Sequence, residues 1–317
     1  MTVNWGILST AHINRRVIPA IRHSGRGQLL AVASRDLDKA REYADQWHIP
    51  HAYGSYDDLL ANDSIHIVYI SLPNHLHTEW IIKALASGKH VLCEKPMCMT
   101  MAELDRVEQA IKKSGLFVME GFMHLHHPQT HLWKSILDAG TLGEIQMITS
   151  SFAATLDRPE DNYRWDVDAG GGALWDVGVY PISLMQFLLG EVPSRVMSIM
   201  DIVNGIDVTT SGMLQFSESR TGYFFVSFQS DFSTDTCIHG TKGQLMISHP
   251  YTNVDACQAF IRSGNKTERV EVPREYLYAG EVENMHDMIL SGTPSRVPMS
   301  FSKNVLLTLE MLFNSKI

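Results

Sequence analysis

The chain reads as an α/β protein in two parts. A doubly wound parallel sheet is expected over residues 1–122, then an α+β domain over residues 123–317 with a large, mostly antiparallel open sheet. Three observations predict this. Apolar strand-like runs alternate with amphipathic helical stretches through the first third, which implies parallel strands joined by right-handed crossovers. From about residue 196 to 248 the pattern shifts to short β runs separated by polar turns. At 317 residues and 44% hydrophobic content, the chain is long enough to bury two cores.

In order, Val3 to Leu8 reads as a first strand, and a short turn leads to a helix whose apolar face carries Ile13, Val17, Ile18 and Ile21. Residues 29–33 form a second strand, followed by a helix over 37–47. A strand over 67–72, a helix over 78–86, a strand ending at Leu92 and a helix opening near Thr100 continue the alternation. Leu116 to Gly121 closes the first part. This is the Rossmann pattern. In the second part, a strand starts at Ile145 and a long loop spans 156–172. β runs follow at 198–201, 212–216, 222–228 and 244–247, with a turn at Ser217-Glu218-Ser219-Arg220. Residues 281–290 and 302–313 are helical.

Parallel α/β sheets bind ligands beyond the carboxyl ends of their strands, so those ends hold the candidate residues. After the first strand, Ser9-Thr10-Ala11-His12-Ile13-Asn14 stands where a dinucleotide loop has three glycines, replaced here by Ser, Ala and Asn. Small residues still let a backbone approach a pyrophosphate at a helix N-terminus, which makes Ser9, Thr10, Ala11, His12 and Ile13 candidate cofactor contacts. After the second strand comes Ser34-Arg35, with Lys39 a turn later, where NAD sites usually carry an acid. A hydroxyl and a guanidinium suit a 2′-phosphate, so NADP(H) is the expected cofactor and NAD(H) the second choice. Pro73, Asn74 and His77 lie just past the next strand and are further cofactor candidates.

Cys93-Glu94-Lys95-Pro96 ends the strand before Thr100. A lysine at that strand mouth is out of place as core and well placed as chemistry, and the proline after it restricts its backbone and allows a cis bond. Further on, Gly170-Gly171-Gly172 precede an apolar segment, which suggests close backbone approach to a ligand and then a helix N-terminus. Asp176 and Tyr180 are four apart and share a helix face, either as an acid–base pair or as a carboxylate that caps or pairs and a phenol that packs. His124, His126, His127 and His131 cluster at the junction of the two parts. No Glu or Cys completes a zinc motif with them, so polar packing beneath the cofactor is expected and no metal.

A net charge of −9 argues against a nucleic-acid or anionic-membrane partner. No apolar stretch approaches a membrane span, no signal peptide is evident, and four cysteines form no framework, so a cytoplasmic protein with reduced thiols is expected.

Pro73-Asn74 with His77, Glu94-Lys95-Pro96, Glu120-Gly121-Phe122-Met123, and the run from Gly170 to Tyr180 together resemble the Gfo/Idh/MocA oxidoreductases over essentially the whole chain. Tyr180, rather than a histidine, resembles the branch of dihydrodiol dehydrogenases, xylose dehydrogenases and glucose–fructose oxidoreductase. That resemblance implies catalytic Lys95 and Tyr180, cofactor contacts from Glu94 and the first loop, and substrate orientation by Asp176. The chain departs from the family at the missing glycines and at Leu125, where relatives usually have Arg. Hydride transfer leaves an oxygen that must exchange a proton. A phenol with an ordinary pKa of about 10 needs a nearby cation to act as base, and Lys95 would supply it. Arg164, Trp165, Asp176 and Tyr180 suit a hydroxylated substrate, namely a sugar, polyol or cyclic diol. A homo-oligomer, dimer or tetramer, is expected through the second sheet. The alternatives are a non-catalytic dinucleotide sensor, or a glycosidase with transient redox.

Overall fold

Six parallel strands and eight mostly antiparallel ones form two separate sheets in the computed structural model, which describes residues 2–157, 162–217, 219–252 and 255–316. The chain divides into two compact units, Met1–His126 with Tyr278–Ser302, and His127–Leu277 with Lys303–Ile317.

In the first unit the strands are β1 (Val3–Leu8), β2 (Gly27–Ala33), β3 (His51–Tyr53), β4 (Ile67–Ile70), β5 (His90–Glu94) and β6 (Val118–Gly121), in the order β3-β2-β1-β4-β5-β6. The central runs VNWGIL and IVYI are almost wholly buried, as strands covered on both faces must be. The crossover helices are α1 (Asn14–His23), α2 (Leu37–Trp47), α3 (Tyr56–Leu60), α4 (His77–Ala86) and α5 (Met101–Ser114). Strand order reverses between β1 and β4, and their carboxyl ends make the crevice in which such sheets take ligands. The short α6 (Met123–His126) follows β6.

The chain returns to this unit through α9 (Ala279–Ser291). The Trp5 indole donates to His286 Nε2 at 2.9 Å, and His286 Nδ1 lies 2.8 Å from Ser24 Oγ. Burial pushes the His286 pKa down to about 4, so the ring is neutral, accepting from Trp5 and donating to Ser24. Arg26 adds ion pairs to Glu283 and Asp287 of the same helix.

In the second unit, α7 (Pro128–Asp138) precedes β7 (Ile145–Ala153), and α8 (Val179–Leu189) packs on the sheet. The remaining strands are β8 (Arg195–Val203), β9 (Ile206–Ser217), β10 (Arg220–Ser227), β11 (Asp235–Gly240), β12 (Gln244–Ser248), β13 (Ala259–Ser263) and β14 (Lys266–Val270). Their order is β14-β13-β12-β11-β7-β10-β9-β8, with β7 and β10 parallel and every other pair antiparallel. The β8–β9 hairpin turns on Asn204-Gly205, both at positive φ, the two-residue turn whose twist matches the strands. Leu214, Phe216, Phe224, Val226, Ile238 and Leu245 face the core. Their strand neighbours Met197, Ile199, Tyr223 and Phe225 are exposed. α10 (Met299–Asn314) ends the described chain.

The expected α/β architecture is therefore present. It also holds β3, β11, β13, β14 and α7, which the sequence pattern did not indicate. Within the expected 156–172 loop, a single 3-10 turn, Tyr163–Trp165, forms, and residues 158–161 lie outside the described residues, as does Glu218 of the expected turn. No helix among the described residues is long and apolar enough to cross a membrane. Cys93, Cys98, Cys237 and Cys257 are free thiols.

Candidate functional site

In the loop after β1, one of the three positions without glycine keeps a glycine-like backbone. Ser9 holds φ at 127°, a left-handed value that favours glycine. Its side chain compensates locally: Oγ accepts the Ala11 N–H at 3.1 Å and lies 2.8 Å from Ser71 Oγ, which follows β4. Asn14, fully buried in place of the third glycine, donates from Nδ2 to the Ser9 carbonyl at 2.9 Å and accepts from Ser71 Oγ at 2.6 Å. The ends of β1 and β4 are thus tied together at the switch point. No side chain caps α1, and its first turn carries Arg15 and Arg16 and no acid. The Asn14, Arg15 and Arg16 N–H groups turn back on the carbonyls of Ala11, His12 and Ile13, so it is the positive helix end and its two cations that suit a bound anion. His12, at the loop's apex, has its pKa lowered by burial and by both arginines.

At the end of β2, Ser34 is buried with its Oγ facing the Asp36 N–H, and Asp36 caps α2 through the N–H groups of Asp38 and Lys39. The local acid is therefore engaged in helix capping. Arg35 and Lys39 are exposed.

Lys95 is 8% exposed and follows β5, and its bond to Pro96 is cis. Two residues brace this stretch. His77 is fully buried, with ring nitrogens 2.8 Å from the carbonyls of Leu72 and Pro96. Burial pushes its pKa down to about 4, so the neutral ring donates to one of them. His77 thus joins the β4 and β5 ends to each other, and a part in cofactor binding would be exerted through those loops. Glu120, in β6, accepts the Met97 N–H at 2.8 Å, and burial raises its carboxyl to about 7 against the hydrogen bonds from Ser302 and Met97. Glu94 accepts a hydrogen bond from the Tyr69 hydroxyl. Burial, then the Glu94 charge, holds Glu281 well above the carboxylate range beside it, as a neutral acid. Pro73 precedes a 3-10 turn, Asn74–Leu76, in which Asn74 is buried.

In the second unit, Asp176 lies on a wide i→i+5 turn, Leu174–Gly178, that runs into α8 and Tyr180. Arg164 donates from Nε to Asp176 Oδ2 at 2.6 Å, and its pKa is raised first by that carboxylate, with further contributions from Tyr163 and Tyr180. Tyr180 is buried against Phe152 and Tyr251, with ring centroids 5.0 and 5.6 Å away. The Tyr251 hydroxyl lies 2.5 Å from Ser150 Oγ, and burial raises its pKa, so it stays neutral. The Trp165 ring lies against Phe228, and its indole N–H donates to the Asp157 carbonyl at 3.0 Å.

The glycine run is where the structure corrects the sequence reading. A methyl on Gly171 would strike the Arg164 carbonyl, and one on Gly172, at φ 117°, would overlap Asp207 Oδ1. Those two close approaches are to the protein's own loop and strand, not to a ligand. Asp207, 3% exposed, accepts the Leu174 N–H at 2.8 Å. Nothing in the sequence pattern singled it out, although Asn204-Gly205 fixes the hairpin register that brings it there.

His124, His126 and His127 are buried. His127 caps α7 by accepting the Gln129 N–H, and its Nε2 meets the Glu275 carbonyl at 3.0 Å, a packing role of the kind expected. Among the described residues, no three His, Cys, Asp or Glu side chains come together as a metal site. Leu125 is fully buried.

Family models match both parts of the chain: the oxidoreductase family with NAD-binding Rossmann fold over residues 3–122, and the GFO/IDH/MocA C-terminal domain over 131–246. The chain is 35% identical to D-xylose 1-dehydrogenase (NADP(+)) 2 from Haloferax volcanii over 98% of its length and 96% of that protein. It is 31% identical to trans-1,2-dihydrobenzene-1,2-diol dehydrogenase from Sus scrofa, over 79% of this chain and 75% of that protein. Among solved structures, the 3-ketoreductase KijD10 from Actinomadura kijaniata with NADP and TDP-benzene superposes with a TM-score of 0.94 at 28% identity, over 100% of this chain and 98% of that one. With the strand order, both family models and the xylose dehydrogenase relative in agreement, the chain belongs to the GFO/IDH/MocA oxidoreductase family.

Proposed function

We propose that the chain is an NADP(H)-dependent dehydrogenase or reductase acting on a secondary alcohol or carbonyl of a sugar, polyol or cyclic diol, with NAD(H) a poorer cofactor. Bound at the loop after β1, the nicotinamide nucleotide supplies or accepts the hydride. The chain's own residues do the rest. Ser9 to Ile13 and the uncapped α1 hold the pyrophosphate, while Ser34, Arg35 and Lys39 meet the 2′-phosphate. In the oxidising direction, the substrate hydroxyl passes its proton to the Tyr180 oxygen as its carbon loses hydride; reduction reverses both transfers. Lys95 favours the phenolate and steadies alkoxide character. Asp176, Arg164 and Trp165 orient neighbouring hydroxyls.

The observation that carries this reading is the Arg164–Asp176 ion pair on the turn that runs directly into Tyr180. The named activities of the xylose and dihydrodiol relatives support it. The test is nicotinamide turnover against a panel of aldoses, polyols and trans-diols, with each cofactor. Arg35→Ala is expected to raise KM for NADP(H) about ten- to hundredfold, the loss of one charge-assisted phosphate contact, and to leave KM for NAD(H) nearly unchanged. An equal change for both cofactors, or none, would remove Arg35 from the 2′-phosphate.

The open face of the second sheet supports association with a second copy. Met197, Ile199, Tyr223 and Phe225 stand exposed on one face, and a depression of about 730 Å³ continues it past Cys237 and Met246 to Phe260. So broad an apolar face is uncommon on a monomer. Light scattering should find a dimer or tetramer, and Phe225→Arg should shift it toward monomer. A monomeric wild type at micromolar concentration would exclude this interface.

A further inference from the structure

Leu174 opens the wide turn that carries Asp176 and leads to Tyr180, yet no side chain of its own segment caps it. The capping acceptor comes from another element. Asp207, at the start of β9, accepts both the Leu174 N–H at 2.8 Å and the Thr210 hydroxyl at 2.7 Å on Oδ2. Thr210 is fully buried and fixes the carboxylate's direction, while Gly172 leaves room for the other oxygen. We infer that Asp207 is a positioning residue for the proposed acid/base, pinning the turn whose geometry sets where Asp176 and Tyr180 point. The inference rests on the reading of Tyr180 given above.

The pin is sensitive to pH. Burial lifts the Asp207 carboxyl to about 6 against the hydrogen bonds from Thr210 and Leu174. Of the charged groups on the elements around it, Lys316 draws the pKa down, and Asp176 on the wide turn is ion-paired with Arg164. Because the folded pKa lies above the unfolded value, this group's contribution to stability is greatest below the ordinary carboxylate range and falls as pH rises to about 6. The charge-assisted cap behaves oppositely, forming above about 6 and weakening below it. Acidification therefore loosens the turn while this carboxyl favours the fold. A merely structural residue would move activity and stability together.

The test uses the full chain and three variants: Asp207→Ala, Asp207→Asn and Thr210→Val. Hydrogen exchange at Leu174–Gly178 reads the pin directly, and kcat over pH with KM for NADP(H) reads its consequence. Asp207→Ala is expected to speed exchange there at least about tenfold and lower kcat about tenfold, with KM for NADP(H) unchanged. In Asp207→Asn, an amide oxygen can still accept the Leu174 N–H. It should recover kcat to within about threefold of wild type and lose the acid-side decline centred near 6. Thr210→Val should fall between them, and it carries the test with Asp207→Asn if the alanine variant does not fold. Unchanged exchange in these variants, or an acid-side decline retained in Asp207→Asn, overturns the inference. Tyr180→Phe is run alongside. If that variant turns over normally, the acid/base reading fails by itself, while the exchange data still decide whether Asp207 pins the turn.

Discussion

Replacing Tyr180 by Phe is expected to lower kcat by about 10²–10⁴, the usual range for a positioned acid or base, and Lys95→Ala should do the same. Both should leave cofactor affinity within about threefold of wild type, because neither removes a phosphate contact. The surroundings argue for these magnitudes. Tyr180 is buried in a cluster with Phe152 and Tyr251, so phenylalanine keeps the ring contacts and the loss reports the hydroxyl. Lys95 is nearly buried on a stretch braced by His77 and Glu120. The two imidazoles that feel its charge are neutral at working pH, with burial pushing His77 to about 4 and His124 to about 3. Neither neutral ring can then replace the side chain that Lys95→Ala removes. Steady-state kinetics with fluorescence titration of NADPH separates the two effects. Near-wild-type turnover in both variants would end the assignment, and loss of NADPH binding would recast Lys95 as a cofactor anchor.

Much of the fold was legible because periodicity is a local property. Runs such as VNWGIL and IVYI are buried on both faces and announce parallel strands. The elements that escaped lack that signal. β3 is three residues long, and β14, Lys-Thr-Glu-Arg-Val, is exposed along most of its length, so its pairing to β13 is all that makes it a strand. The return of α9 depends on Trp5 meeting His286 and Arg26 meeting Glu283, pairings far apart in sequence that no window can see. At the site, residue types picked out candidates and missed the groups that support them. Ser9 in place of glycine looked like a weakened phosphate loop, yet its hydroxyl holds the same backbone conformation. Asp176 was read as capping, paired or catalytic, and its ion-pair partner Arg164, twelve residues back across a loop with no helical period, could not be assigned to it from the pattern. Gly171 and Gly172 suggested room for a ligand, whereas the room is filled from within by a carbonyl and by Asp207.

Gly172→Ala is expected to destabilise the chain by about 2.5–6 kcal/mol, a large share of the roughly 5–15 kcal/mol that holds a domain folded. Two terms add. Holding an alanine at φ 117° costs about 1–3 kcal/mol in backbone strain. The added methyl also overlaps Asp207 Oδ1, so the carboxylate must swing and take Oδ2 away from Leu174 and Thr210. Giving up buried hydrogen bonds to a charged group costs roughly a further 1.5–3 kcal/mol. Gly190→Ala is the internal control. It shares a left-handed backbone, at φ 68°, but a methyl there meets open space, so only a strain of about 1–2 kcal/mol remains. In an Asp207→Ala background, the overlap at Gly172 disappears and the same substitution should fall to the strain alone. The two sites should therefore be non-additive by about 1.5–3 kcal/mol, within the range seen for residues in contact. Denaturant unfolding of the single and double variants measures each quantity. Additivity, or a Gly172→Ala protein as stable as Gly190→Ala, would mean that the carboxylate can move aside freely and that the glycine is not what keeps Asp207 against the turn.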